Sequence, residues 1–261
     1  MHFSTAGSGP ALVFLHGFGE DSRIWEAFVA LFEKTHQVIC IDLPGFGQSD
    51  PVAGITIRDM ASAVHAVLEK LQVGRFVLAG HSMGGYVALA YAQAWPTALR
   101  GLAMIHSHPY ADSEEKKEGR MKSIEFVNRH GSARYAAQLI PSLFAPKFAE
   151  ENPLIIKELI DRAGAYPAQG VTDALRAMYQ RPDRSEVLQD IKCPVLFIIG
   201  KEDQAIPAEL SKRQTALPAT SSIHYLDGVG HMGMLEAQRE TLEIVEHFLE
   251  GIEYYVSILA S

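Results

Sequence analysis

The 261-residue chain has only two cysteines, Cys40 and Cys193. Each sits beside an apolar run, in Gln37-Val38-Ile39-Cys40-Ile41 and Cys193-Pro194-Val195-Leu196-Phe197. Two isolated thiols in strand-like surroundings read as free core residues, which excludes a disulfide framework and fits a reducing compartment. Positive charge is also in short supply. Lys and Arg number 23 against 31 Asp and Glu, for a net charge of -8. A nucleic-acid binder needs a basic surplus on one face, so that class is excluded. No uninterrupted apolar run approaches the length of a membrane span. The N-terminal Met1-His2-Phe3-Ser4-Thr5 lacks a basic segment followed by an apolar one. The expectation is a cytoplasmic protein, monomeric or homodimeric, with a core large enough to fold without staples.

Alternation organises what is present. Apolar runs at Ala11–His16, Val38–Leu43, Phe76–Ala79 and Leu99–Ile105 are separated by stretches of helical spacing at Ser22–Lys34, Ile57–Leu71 and Ser82–Trp95. Continuous apolar strands between amphipathic helices predict an α/β fold with a mostly parallel sheet covered on both faces. The alternation stops at Ser107. Ala111–His130 has helical spacing, ended by Gly131, and three further helical pieces follow, punctuated by Pro141, Pro146, Pro153, Pro167 and Pro182. Strands resume at Pro194–Gly200 and Ile223–Leu226, with helices near Ala208–Ala216 and Leu235–Leu249. The expected division is a core of residues 1–106 and 191–261 with a helical cap inserted at 107–190. The apolar tail Tyr254–Leu259 reads as a docked segment or a dimer contact.

The most specific feature is Gly80-His81-Ser82-Met83-Gly84-Gly85, a G-x-S-x-G sequence between a strand and a helix. A sharp turn there lifts the Ser82 hydroxyl above the sheet edge. Chains pass so closely that Gly80 and Gly84 must lack a Cβ. A serine needs a base to act as a nucleophile. Of eleven histidines, His231 is favoured because Asp227-Gly228-Val229-Gly230-His231 is a loop at the carboxyl end of a strand, where open α/β sheets place reactive groups. The imidazole needs a carboxylate. Asp203 follows the strand ending at Gly200, with Glu202 as its rival and Asp227 less favoured. Backbone N–H donors for a developing oxyanion are expected from Met83 and from Phe18 in His16-Gly17-Phe18-Gly19. His81 is expected to pack beside the serine.

These segments, with Asp42-Leu43-Pro44-Gly45-Phe46-Gly47-Gln48-Ser49-Asp50, resemble the α/β-hydrolase fold superfamily, in its esterase-like form with a helical cap. The resemblance covers residues 11–106 and 191–250. It implies an eight-stranded, mostly parallel sheet, the catalytic order Ser82, Asp203, His231, and no cofactor. Because the chain begins just before Ala11, the usual first antiparallel strand is expected to be missing or supplied differently. Dehalogenases and epoxide hydrolases of this fold carry Asp where Ser82 stands, so the expected chemistry is acyl transfer from a small carboxylic ester to water. Carbon–carbon bond hydrolysis and perhydrolysis use the same residues and stay open, as does a non-catalytic receptor or scaffold.

Around this site, His16, Gly17, His81, His106 and His108 are candidate substrate-binding residues. His106 and His108 could also be a metal pair, but no further ligand is visible, so lining the pocket or hydrogen bonding at the cap hinge is preferred and no metal is expected. The segment Asp112–Arg134 has five acids and six bases. Glu118–Lys122 and Glu125–Arg129 at i, i+4 read as a solvated helix face rather than an anion site. Phe126, Leu139, Leu143, Phe144, Leu159, Met178 and Tyr179 are available to cover the pocket.

Overall fold

A computed structural model describes residues 1–259, with side-chain surroundings through Glu253. The surroundings of the apolar tail Tyr254–Leu259 therefore lie outside the described residues. Seven strands form one sheet: β1 (Phe3–Ala6), β2 (Ala11–Leu15), β3 (Gln37–Ile41), β4 (Phe76–His81), β5 (Leu99–Ile105), β6 (Val195–Gly200) and β7 (Ser221–Leu226). Their order is β1-β3-β2-β4-β5-β6-β7, and every pair except β1–β3 is parallel. Every residue of β2, β4 and β6 is buried. That is why these strands are plain apolar runs rather than alternating ones.

An antiparallel first strand is present, where it was expected to be missing or supplied differently. Phe3–Ala6 pairs antiparallel with β3, from Phe3 opposite Ile41 to Ala6 opposite Val38. It leaves no apolar signature because it is a short edge with Ser4 and Thr5 exposed. Even so, the described sheet has seven strands rather than eight.

Helices α1 (Glu26–Phe32), α2 (Ile57–Lys70) and α3 (Met83–Ala94) connect the first strands. Thr56 and Asp59 close a reciprocal cap at the start of α2. Between β5 and β6 the secondary structure is helical throughout: α4 (Glu114–His130), α5 (Ser132–Leu139), α6 (Pro146–Glu151), α7 (Pro153–Gly164), α8 (Ala168–Gln180) and α9 (Ser185–Asp190). The expected three pieces after Gly131 are thus five helices and a 3-10 turn. Pro146 and Pro153 stand at helix starts, where a missing N–H costs nothing. α10 (Ala208–Gln214), α11 (Gly233–Glu236) and α12 (Gln238–Leu259) complete the chain. None of the described helices is long and apolar enough to cross a membrane.

Strand order reverses between β2 and β4, because β2 connects to β3 on one side and β4 to β5 on the other. Loops at such a reversal diverge and leave a crevice. The elements meeting there touch backbone to backbone. A Cβ on Gly80 would stand 2.5 Å from the Gly84 carbonyl, and one on Gly84 2.4 Å from the Leu15 carbonyl oxygen.

A buried ion pair ties three loops at this crevice. His81 lies 3.0 Å from Glu20 Oε2 through Nδ1 and 2.9 Å from the His231 carbonyl oxygen through Nε2. Both partners accept, so both ring nitrogens must donate and the ring is an imidazolium. Glu20 also accepts the Gly17 N–H at 2.9 Å. Burial alone would push the Glu20 carboxyl up, but His81 and the Gly17 N–H hold it below its usual pKa. Burial likewise opposes charge on His81, and Glu20 overrides it and raises the pKa.

Glu20→Gln strands a buried cation and is expected to destabilise the fold by about 3 kcal/mol. The lowered Glu20 value contributes stability above its unfolded pKa, and the raised His81 value contributes below its own. The loss should therefore be greatest between about pH 4.3 and about pH 6.5 and shrink on either side. Denaturant melts of both proteins across pH check this; a loss independent of pH would show that the pair is uncharged.

Candidate active site

Strand β4 ends and α3 begins at a single residue, Ser82, whose backbone has φ 49° and ψ −113°. Non-glycine residues seldom adopt such a positive φ. Four hydrogen bonds hold its backbone: Ser82 N–H donates to Ile105 O at 3.0 Å, while its carbonyl accepts Ser107 Oγ–H at 2.8 Å, Gly85 N–H at 2.9 Å and Tyr86 N–H at 3.3 Å. The hydroxyl is left over the crevice. Its Oγ is 2.8 Å from His231 Nε2, and His231 Nδ1 is 2.7 Å from Asp203 Oδ2. The carboxylate accepts the Nδ1 proton, so Nε2 is free to accept from the serine.

Asp203 is buried, and its Oδ1 takes the N–H groups of Ala205 and Ile206, each at 2.8 Å. Burial would raise its pKa; the charge of His231 and the surrounding hydrogen bonds hold it far below the carboxylate range instead. The two rival acids point elsewhere. Glu202 is exposed, and Asp227 is an exposed partner of Lys201 at 2.6 Å. His231 is fixed by its backbone as well, since its N–H donates to Leu143 O at 2.7 Å and its carbonyl accepts from His81. The backbone N–H groups of Phe18 and Met83 find no acceptor among the described residues.

The five candidate substrate-binding residues separate. His108 lines a cavity of about 290 Å3 that also contains Ser82 and His231. The other four lie behind its wall. His16 takes the Leu43 N–H on Nε2 at 2.9 Å, and its Nδ1–H donates to Gly17 O at 2.7 Å, pinning the loop after β2. Gly17 donates to Glu20, and His81 bridges Glu20 and His231. His106 is fully packed, with its backbone at φ 45° and its Nδ1 3.7 Å from Asp203 Oδ2. Gly233 N and Gly200 N lie 3.2 Å from its Nε2 and Nδ1, respectively. A neutral ring accepts on one nitrogen only, and the Asp203 charge favours the proton on Nδ1. Burial is the main cause that lowers the His106 pKa to about 4. His108 falls to about 3, through burial and then the nearby Arg181.

The same cavity shows what the sequence reading missed. Leu139, Leu143 and Met178 line it as expected, together with Leu175 and Ile206. Phe144 and Leu159 are buried but do not line it. The charged helix α4 was read as solvated throughout. Instead Lys116, Arg120 and Ser123, at i, i+4 and i+7, line the cavity, while Glu114, Glu118 and Lys122 remain exposed. The buried Ile124 and Val127 mark the inward face only in the second half of that helix, and its first turns are polar on every side. Glu20 was also missed. An acid directly after the Gly-Phe-Gly turn was the available signal.

The family model of the alpha/beta hydrolase family matches residues 12–244. A protein named 3-oxoadipate enol-lactonase 1 from Acinetobacter baylyi is 26% identical over 249 residues, which cover 94% of this chain and 91% of that protein. A 2-hydroxy-6-oxononadienedioate/2-hydroxy-6-oxononatrienedioate hydrolase from Burkholderia vietnamiensis is 27% identical over 95% of this chain and 90% of its own length. Among solved structures, a thermophilic esterase from Thermogutta terrifontis superposes with a TM-score of 0.92 at 30% identity, covering 96% of this chain and 93% of that one. With the match spanning most of the sheet and reaching into the final helix, the chain belongs to the alpha/beta hydrolase family.

Proposed function

We propose that this protein is a cofactor-independent serine hydrolase that cleaves small carboxylic esters, with Ser82 as nucleophile, His231 as general base and acid, and Asp203 as the carboxylate that orients and charges the imidazole. The observation that carries this reading is the continuous hydrogen-bonded path from Ser82 Oγ through His231 to Asp203, at 2.8 and 2.7 Å. His231 Nε2 takes the hydroxyl proton as Oγ attacks the carbonyl carbon. The imidazolium then gives that proton to the departing alcohol as the C–O bond breaks, which leaves an acyl-serine. Water, deprotonated by His231, releases the acid and restores the serine.

The carbonyl oxygen becomes an oxyanion in both halves. The unpartnered N–H groups of Phe18 and Met83 are the donors assigned to it. Each such donor contributes about 2.7–4 kcal/mol of transition-state stabilisation in comparable sites. The buried pair Glu20–His81 supports both functions, since it holds the Gly17 N–H beside Phe18 and the carbonyl of His231. The helices of residues 107–190 act as the cap, with Leu139, Leu143, Leu175 and Met178 forming the apolar side of a cavity sized for a small ester.

Ser82→Ala is expected to lower turnover of 4-nitrophenyl acetate by roughly 10³-fold or more with no fall in melting temperature. Turnover that survives the substitution would reject the assignment. A pH profile tests the carboxylate. Asp203 is held below the usual range and His106 is neutral above about pH 4, so neither adds a protonation step to the loss of rate on acidification. The acid limb of log kcat/KM should have unit slope down to about pH 5. A slope near two would mean that a second group must be deprotonated, and the proposed division of roles would fall. Asp203→Asn should cost about 10⁴-fold in kcat while leaving the fold intact.

A further inference from the structure

The wall of the cavity formed by α4 carries more positive charge than its own acids neutralise. Asp112 pairs with two cations, Arg120 through Nε and Arg181 through Nη2 at 2.8 Å. Lys116 adds a third. Among the described residues no carboxylate lies within ion-pair distance of Lys116, and its ammonium reaches only the carbonyl oxygen of Ala205, at 3.3 Å. It stands at the exposed mouth of the cavity, close enough to the packed wall that desolvation is the main influence lowering its pKa. An ammonium that lines a cavity mouth without a carboxylate partner is an open position for an anion.

The surplus is not cancelled from the other side. Glu20, the acid among the residues lining this cavity, is neutralised by His81. Its carboxylate is committed to the imidazolium and the Gly17 N–H. Asp203 is likewise committed to His231 and two backbone N–H groups. The positive potential reaches the neighbours: Arg181, Lys116 and Arg120 all act, after burial, to keep His108 uncharged. Lys116 is also placed near the chemistry, because Ala205 is the residue whose N–H holds Asp203. A cation at the mouth and a nucleophile in the same small space define two ends of one ligand.

Resting on the serine-hydrolase reading, we propose that the substrates are esters or lactones bearing a free carboxylate, which Lys116 binds directly with Arg120 as second donor. The reactive carbonyl then sits at Ser82 while the apolar side of the cavity takes the methylenes between the two groups. Lysine is a point charge without a fixed fork, so the site selects the anionic charge and its distance from the ester more than the exact geometry of the anion.

The test compares two esters of equal chain length, mono-4-nitrophenyl glutarate and 4-nitrophenyl pentanoate, in the wild type and in Lys116→Met, which keeps the stem and removes the charge. The ratio of kcat/KM for the glutarate ester to that for the pentanoate ester should fall by roughly tenfold or more in the variant. In the wild type this ratio should shrink as salt is raised toward 1 M, where the Debye length is about 3 Å. Calorimetric binding of glutarate to the wild type and to the variant gives a readout independent of turnover, and the variant should bind at least tenfold more weakly. If pentanoate is hydrolysed but neither the ratio nor glutarate binding responds to Lys116→Met, the carboxylate site is overturned and the hydrolase reading stands. If neither ester is hydrolysed but glutarate binds in a Lys116-dependent manner, the hydrolase reading fails and the anion site stands. Failure of both measurements overturns both.

Discussion

The structure turns on one residue held in a backbone conformation that it would not adopt alone. A serine at φ 49° costs on the order of 1–3 kcal/mol and persists only where its surroundings overdetermine it. Here they do so from three directions. Strand β5 accepts its N–H, Ser107 just beyond β5 caps its carbonyl, and the first turn of α3 claims the same oxygen. Gly80, Gly84 and Gly85 let these segments approach to distances that a Cβ would forbid. A Cβ on Gly85 would lie 2.2 Å from Ser107 Oγ. The strain is offset by close packing of buried strands, and the result is a hydroxyl that cannot relax into the helix.

Around that hydroxyl, four packed histidines take different protonation states because each has different neighbours. His81 faces two acceptors and is charged. His16 faces one backbone donor and one carbonyl, so it is neutral with its proton on Nδ1. His106 is neutral because burial outweighs the nearby carboxylate. His108 takes the Tyr110 N–H on Nδ1 at 3.1 Å, which leaves its Nε2–H facing the Tyr86 hydroxyl at 3.3 Å. His231, at the crevice with them, has a buried carboxylate on one side and a serine hydroxyl on the other. Environment, not residue type, separates a base from its supports.

The same principle explains what was legible in the sequence. Strands buried on both faces announce themselves as apolar runs, so β2 to β6 could be read within a residue or two. The Gly80–Gly85 turn was legible because close backbone approach leaves glycine as the only solution. β1 was not, since a half-exposed edge strand needs no apolar residues to pair. Asp203 could be ranked above Glu202 but not separated from it by pattern, because adjacent residues differ only in which way the turn aims them. In α4 the inward face carries Lys116, Arg120 and Ser123, and the buried Ile124 and Val127 that mark this face come only in the second half, so the polar first turns do not show which side meets a cavity. The buried pair Glu20–His81 was half legible: His81 was expected to pack, but its charge depends on a loop acid 61 positions away.

The charge of the whole chain and the charge of the cavity have opposite signs. A protein at -8 repels anions at long range, but screening limits that repulsion to about 8 Å at physiological ionic strength. What an approaching anion meets at the mouth is the local arrangement, where Lys116 has no counter-ion among the described residues and Asp112 is shared between two arginines. Under the proposed mechanism the surplus cation has a further reason to lie off the reaction centre. A positive charge beside His231 would oppose the imidazolium that forms on attack. A carboxylate bound at Lys116 would offset one of the wall's surplus charges before the chemistry begins, with Asp203 as the carboxylate that contacts the ring. On this arrangement, the substrate's own anion would lower the positive potential that the forming imidazolium works against, an aid that a neutral ester lacks.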